Sequence, residues 1–241
     1  MRYGILGDIH SNLEALDTVV AALRKERVDK WISVGDVVGY GADPVRCIEF
    51  VKDLKATVVA GNHDYAVCNR LNVDFFNAYA REAVLWTRKQ LSREQMLFLE
   101  DLQLTAVLDG QVSVVHGSLN FPEMFDYIQT SYDAHLSLQA LATPVCFLGH
   151  SHVPVTFVQG QTVTYTLDPV IKLKEGERAL VNVGSVGQPR DEDPRAAYAV
   201  YDAETRTVEI KRIEYDVEGA GRKILEAGLP EILAERIKYG R

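Results

Sequence analysis

Apolar and polar positions follow two rhythms along this chain, and the change from one to the other divides it. Tyr3 to Leu6 is a short apolar run that reads as a strand. Behind a Ser11-Asn12 start signal, Leu13, Leu16, Val19, Val20 and Leu23 recur at helical spacing. Trp31 to Val34 is the next strand. Asp43 then caps a helix whose first residue is Pro44, where a missing N–H costs nothing, and Thr57 to Ala60 makes a third strand. Such a β-α-β-α-β run predicts parallel pairing with helices on the sheet faces.

From about Asp74 to Leu102 the spacing predicts two helices, the second opened by Ser92 with Gln95 three positions on, a capping box. The rhythm then shortens. Val112 to His116, Val145 to Leu148, Val155 to Val158, Thr162 to Thr166, Leu180 to Val183, Tyr198 to Tyr201 and Thr207 to Ile213 all read as extended. One helical stretch lies near Ser131 to Leu141, and a short terminal helix is expected from Pro230. No repeat, low-complexity tract or linker breaks the pattern, so residues 1–241 are expected to form a single α/β domain.

With 241 residues, 47% of them apolar, the chain is long enough to bury a full core. Its net charge of -8 argues against nucleic-acid binding through bulk electrostatics, which rests on Lys and Arg neutralising phosphates. An anionic substrate therefore needs local positive charge, and bound divalent cations are one source of it. Cys47, Cys68 and Cys146 are odd in number and form no CxxC pair, so free thiols in a reducing compartment are expected. No signal-type apolar segment follows Met1 and no stretch approaches ~18 apolar residues, so the expectation is a soluble, cytoplasmic protein with no membrane partner. Homo-oligomerisation is left open.

The polar interruptions of this pattern carry the chemistry. Five predicted strand ends run directly into metal-ligand residue types: Gly7-Asp8-Ile9-His10, Gly35-Asp36, Gly61-Asn62-His63-Asp64, His116-Gly117 and Gly149-His150-Ser151-His152. In α/β sheets ligands gather at the carboxyl ends of strands, so these segments are expected to converge on one crevice. Asp8, His10, Asp36, Asn62, His116, His150 and His152 supply too many groups for one ion, and enough for two if one carboxylate bridges. Imidazole and carboxyl oxygen without thiolate suit manganese first, with iron, zinc or nickel as alternatives. A pair of such ions binds a phosphoryl oxygen and lowers the pKa of a bound water, which points to hydrolysis of a small phosphate-containing substrate.

The series GDIH, GDVVGYG, GNHD, VVHG and GHSH, in this order, resembles the calcineurin-like metallophosphoesterases, above all the small bacterial and archaeal phosphodiesterases. The resemblance spans Asp8 to His152 and implies a four-layer sandwich of two mixed β-sheets flanked by helices. It implies Asp8, His10, Asp36 and His152 around one ion, Asp36, Asn62, His116 and His150 around the other, and Asp36 as the bridge. By the same resemblance His63 is the general acid and Asp64 orients its imidazole.

Protein phosphatases of the superfamily, and the symmetrical dinucleoside tetraphosphatases, carry Asp-Arg-Gly after the second motif, where this sequence has Gly39-Tyr40-Gly41. The missing arginine favours diesters or nucleotide-like substrates over phosphoproteins. A later Asn182-Val183-Gly184-Ser185 resembles the Asn-Pro-Gly-Ser loop of the small phosphodiesterases and is expected on the substrate side. Three further candidates for substrate contact each have an ordinary alternative. Asn12 binds substrate or caps the following helix, Tyr40 stacks on a base or packs its loop, and Arg190 clamps a phosphate or lies solvated. The reading that results is a metal-dependent phosphodiesterase that uses a metal-bound hydroxide. A diadenosine polyphosphate hydrolase of the same fold and a non-catalytic protein-binding member are its rivals.

Overall fold

The computed structural model describes residues 1–241. Its first third contains β1 (Arg2–Leu6), α1 (Leu13–Lys25), β2 (Lys30–Ser33), α2 (Pro44–Asp53), β3 (Thr57–Val58), α3 (Asn62–Val67), α4 (Ala78–Gln90) and α5 (Arg93–Glu100). The middle holds β4 (Thr105–Leu108), β5 (Val112–Val115), α6 (Ser131–Ala140), β6 (Val145–Leu148), β7 (Val155–Gln159), β8 (Val163–Thr166) and β9 (Val170–Lys172). The remainder is β10 (Arg178–Asn182), β11 (Ala196–Asp202), β12 (Thr207–Ile213), α7 (Val217–Glu226) and α8 (Glu231–Tyr239).

These strands form two mixed six-stranded sheets, in the orders β3-β2-β1-β11-β12-β9 and β4-β5-β6-β10-β7-β8. The expected β-α-β-α-β run is present, with β1, β2 and β3 parallel. Side chains that alternate along each strand make the layers. In β1, Tyr3 and Ile5 point into an apolar layer shared with Val114, Phe147 and Val181 of the second sheet, while Leu6 points to the opposite face, against α1 and α2. Helix α6 covers the outer face of the second sheet through Ala134 and Leu138. A separate cluster joins Tyr40, α4, α7 and α8. No helix is long and apolar enough to cross a membrane.

Four elements were not expected from the sequence. Strands β4 and β9 are short, at four and three residues, and largely exposed, so their apolar stretches are too brief to stand out. Helix α7 contains Gly219 and Gly221, which weaken the helical signal. Helix α3 begins where a strand end was expected: β3 stops at Val58, Val59 and Ala60 pair with Gln103 instead, and Asn62 opens the helix.

Candidate metal centre

The carboxyl ends of β1, β2, β5 and β6 and the N-terminus of α3 meet at one edge of the sandwich. They place the predicted ligands in two buried groups, Asp8, His10, Asp36 and His152, and Asp36, His116 and His150; within each group the ligand atoms lie within 4.8 Å of one another. Asp36 belongs to both. Its Oδ1 accepts the backbone N–H of His63 at 2.9 Å, and its Oδ2 lies 3.5 Å from His10 Nε2 and 3.4 Å from His116 Nε2. Asn62 Oδ1 joins the second group 3.1 Å from His116 Nε2. A side chain on Gly61 would collide with the Asp36 carboxylate, so the glycine there is required.

The imidazoles are oriented by backbone carbonyls. His10 Nδ1 donates to Val38 O at 3.1 Å, His152 Nδ1 to Gln188 O at 2.6 Å and His116 Nδ1 to Val34 O at 3.0 Å. A carbonyl only accepts, so each of these rings, when neutral, turns a lone pair at Nε2 toward the centre. His10 and His152 then face each other at 3.1 Å, Nε2 to Nε2, with no hydrogen between them. His116 Nε2 lies 3.1 Å from both Asn62 Oδ1 and His150 Nδ1, where a proton on Nε2 or a cation relieves the same crowding. Acceptors converging on acceptors repel unless a cation lies among them, and this donor set fits a divalent first-row ion.

The electrostatics agree. Burial pushes His10, His150 and His152 well below their usual pKa, which keeps them in the neutral, metal-binding form. Burial raises Asp8 to about 7. Burial alone would also raise Asp36, but His116 and His63 outweigh it and hold that carboxylate well below the ordinary range. His116 shows the converse: Asp36 and Asp8 overcome its burial and bring it up to about 9. In the metal-free protein its proton stands in for part of the missing cationic charge.

Several ligand positions are unusual in backbone as well. Asp8, His10, Asp36, His150 and His152 have φ of 45°, 48°, 50°, 68° and 61°, in the left-handed region that side chains other than glycine visit at a cost.

Beside the centre is an open cavity of about 230 Å³. Asp36, Asn62, His63, His150 and His152 form its base, Phe75, Phe76, Met124, Phe125 and Tyr127 its walls, and Tyr40 and Arg190 its edge. Tyr127 stacks on His150 with ring centroids 3.9 Å apart. The sequence reading overlooked all five wall residues. For Met124, Phe125 and Tyr127 the density of aromatic residues in Phe121-Pro-Glu-Met-Phe-Asp-Tyr127, a connection without a strand, was the available signal.

His63 lies against Tyr40, His10 and Phe76, with ring centroids 4.5, 4.9 and 4.9 Å away. Its Nδ1 is buried without a partner, against the α-carbon of Gly39, where an added Cβ would come within 2.5 Å of that nitrogen. Nε2 is therefore the nitrogen available to the cavity. The expected support from Asp64 is absent. The Asp64 carboxylate accepts from Val38 N at 3.2 Å and Gly61 N at 3.0 Å, because consecutive residues of a helix point in different directions. Asp64 thus braces the Asp36 and Asn62 loops, and burial together with Asp36 raises it to about 7.

Asn12 is used within the fold. Its Oδ1 accepts from Ala15 N at 3.1 Å as the cap of α1, and its Nδ2 donates to Gly187 O and to the Tyr215 hydroxyl. The Asn182 to Ser185 loop also lies outside the cavity lining. Asn182 Nδ2 donates to Ser151 Oγ at 2.9 Å and Ser185 Oγ to Asp8 O at 2.8 Å, so the loop holds the ligand segments from behind. Arg190, in contrast, reaches the cavity edge, with Nη2 2.8 Å from Gln188 Oε1.

The family model of the calcineurin-like phosphoesterase superfamily domain matches residues 1–206. The chain belongs to this superfamily. The family is metal-dependent and points to phosphoric ester hydrolysis, and the clustered His and Asp side chains are consistent with that chemistry. The uncharacterized protein MJ0912 of Methanocaldococcus jannaschii is 38% identical over 241 residues, 98% of this chain and 97% of the relative. A solved metallophosphoesterase from Sphaerobacter thermophilus is 40% identical with a TM-score of 0.88, covering 100% of this chain and 99% of that one. The hypothetical protein PH1004 from Pyrococcus horikoshii shares the fold at 20% identity, with a TM-score of 0.82 and coverage of 100% and 98%.

Proposed function

We propose that this phosphoesterase is a dinuclear phosphodiesterase acting on small, nucleotide-like diesters. The observation that carries the reading is Asp36, shared by two clusters of metal-ligand side chains that open with His63 onto one cavity. Divalent cations in such clusters, manganese by preference, supply Lewis acidity and an activated water. The chain's own residues do the rest. The aromatic walls give the second ester group of a diester an apolar surface that a monoester leaves unused. Arg190 is the one guanidinium at the cavity edge.

Burial pushes His63 down to about 4, so it is neutral at pH 7 until an anionic substrate beside it favours the charged form. In that complex Nε2 protonates the leaving oxygen. The complete ligand set and the placement of His63 favour this reading over a non-catalytic one.

Hydrolysis of bis(p-nitrophenyl) phosphate by manganese-loaded protein is expected to show a higher kcat/KM than that of p-nitrophenyl phosphate. Preference for the monoester, or for a phosphopeptide, overturns the diester reading. His63→Asn is expected to slow a diester with an alkyl leaving group by roughly 10²- to 10⁴-fold with metal content unchanged. A p-nitrophenolate leaving group, stable without a proton, should lose less. Equal losses with chemistry rate-limiting would make His63 an electrostatic stabiliser instead.

A further inference from the structure

The segment that follows Ser185 is strapped to the metal centre. Gln188 O accepts from His152 Nδ1 at 2.6 Å, Arg190 N donates to His152 O at 3.3 Å, and Gln188 N donates at 2.8 Å to Ser185 Oγ, which in turn donates to Asp8 O. Within this strap the Gln188 side chain is only 1% exposed, and it holds Arg190: its Oε1 accepts from Nε at 3.3 Å and from Nη2 at 2.8 Å. Both nitrogens only donate, so the amide oxygen must be the atom that faces them, and because they share one edge of a planar guanidinium a single acceptor orients the whole group. Hydrogen bonds within the protein leave Nη1 unused, and that atom is open to solvent at the cavity that Arg190 lines.

No carboxylate shares this arginine. The acids of its own loop pair elsewhere, Asp191 with Arg212, Asp193 with Arg195 at 2.7 Å and Glu192 with Arg241 at 3.6 Å. A glutamate at position 188 would bind a guanidinium more strongly than an amide does, and it would eliminate Gln188 Nε2, a buried donor without a partner in the protein. The amide does neither. What it preserves is the positive charge of Arg190, the only Lys or Arg in the cavity lining of a chain whose net charge is -8.

We propose that Gln188 is a positioning residue for the substrate phosphate: its amide oxygen holds Arg190 by one edge and leaves the guanidinium its full charge, so that the Nη1 end meets phosphoryl oxygens bound at the metal centre. The inference rests on the phosphodiesterase reading of that centre and deepens it. The His152 ring is fixed by the backbone carbonyl of Gln188 and the Arg190 guanidinium by its side chain. The spacing between the first ligand cluster and the phosphate contact is therefore set by three consecutive residues, and the φ of the middle one, Pro189, is locked by its ring.

The test titrates manganese-loaded protein calorimetrically with inorganic phosphate, which requires no turnover. Gln188→Glu keeps the shape of the side chain and its hold on Arg190 but neutralises the pair. It should weaken phosphate binding by roughly 10-fold and raise KM for bis(p-nitrophenyl) phosphate by a similar factor, with ion content unchanged and the melting temperature equal or higher. Gln188→Met, which releases the guanidinium without adding charge, should also weaken binding. Arg190→Met should lose at least as much, and in that background Gln188→Met should have little further effect, because Gln188 acts through the arginine. Phosphate binding that is absent from the unmodified protein, indifferent to either substitution at position 188, or weakened additively by the two methionines overturns the positioning role. So does a loss of ions in Gln188→Glu, since the effect would then run through His152. If bis(p-nitrophenyl) phosphate is not cleaved while phosphate binding follows the expected pattern, the positioning role stands and the phosphodiesterase reading fails.

Discussion

Around the first ligand cluster, Asp8, His10 and Asp36 follow strands of the first sheet and only His152 comes from the second; around the other, His116 and His150 come from the second sheet and Asp36 is the one carboxylate. The first cluster thus takes one ligand across the layer boundary and the second takes two, Asp36 and Asn62, and the clusters also differ in enclosure. Asp8, His10, Asp36 and His152 are all 2% exposed or less, with both imidazoles fixed by backbone carbonyls. In the second cluster His150 is 8% exposed, its ring is covered by a half-exposed Tyr127, and no carbonyl fixes it. A closed ligand set retains an ion, whereas an open edge leaves positions for water and substrate. The first cluster is accordingly read as the holding site and the second as the site that meets substrate.

The largest effect should come from the residue that removes the distinction. Asp36→Asn takes charge from both clusters and is expected to lower ion content at both and activity by roughly 10³-fold or more. Elemental analysis showing full occupancy of two ions in active Asp36→Asn would end the bridging assignment. A smaller and more selective effect separates the clusters. Calorimetric titration should resolve a tighter and a weaker ion, with His10→Ala losing the tighter step and His150→Ala the weaker, each by about 10²-fold or more. If both substitutions remove the same step, the difference in enclosure has no energetic counterpart.

The smallest effect is in pH. The folded pKa of His116 is raised from 6.5 to about 9, so its stabilising proton is fully present below pH 6.5 and is lost as pH rises through 9. Metal-free protein should therefore lose thermal stability between about pH 7 and 9. A bound ion displaces that proton, so loaded protein should be flatter over the same interval. Melting curves with and without chelator test this, and parallel pH profiles would count against His116 as a ligand.

Much of the site was legible because each ligand segment interrupts an apolar strand within a few residues. Asp8, Asp36 and His150 needed no tertiary information beyond the rule that strand ends converge. Asp64 was misjudged because adjacency in sequence was taken for contact, and a single turn of α3 was enough to send its carboxylate to Val38 and Gly61. The cavity lining combines Tyr40, Phe75, Phe76, Met124, Phe125, Tyr127 and Arg190 from distant segments, and no local period marks such residues.

The left-handed backbone at Asp8, His10, Asp36, His150 and His152 has a consequence for descent. Each such residue costs on the order of 1 kcal/mol relative to a relaxed conformation, and together they are a sizeable fraction of the ~5–15 kcal/mol by which a domain outweighs its unfolded chain. Selection for catalysis must keep these residues against a steady thermodynamic pull. A lineage released from that selection would drift toward glycine or asparagine at positions 8, 10, 36, 150 and 152, becoming hardier as it became inert.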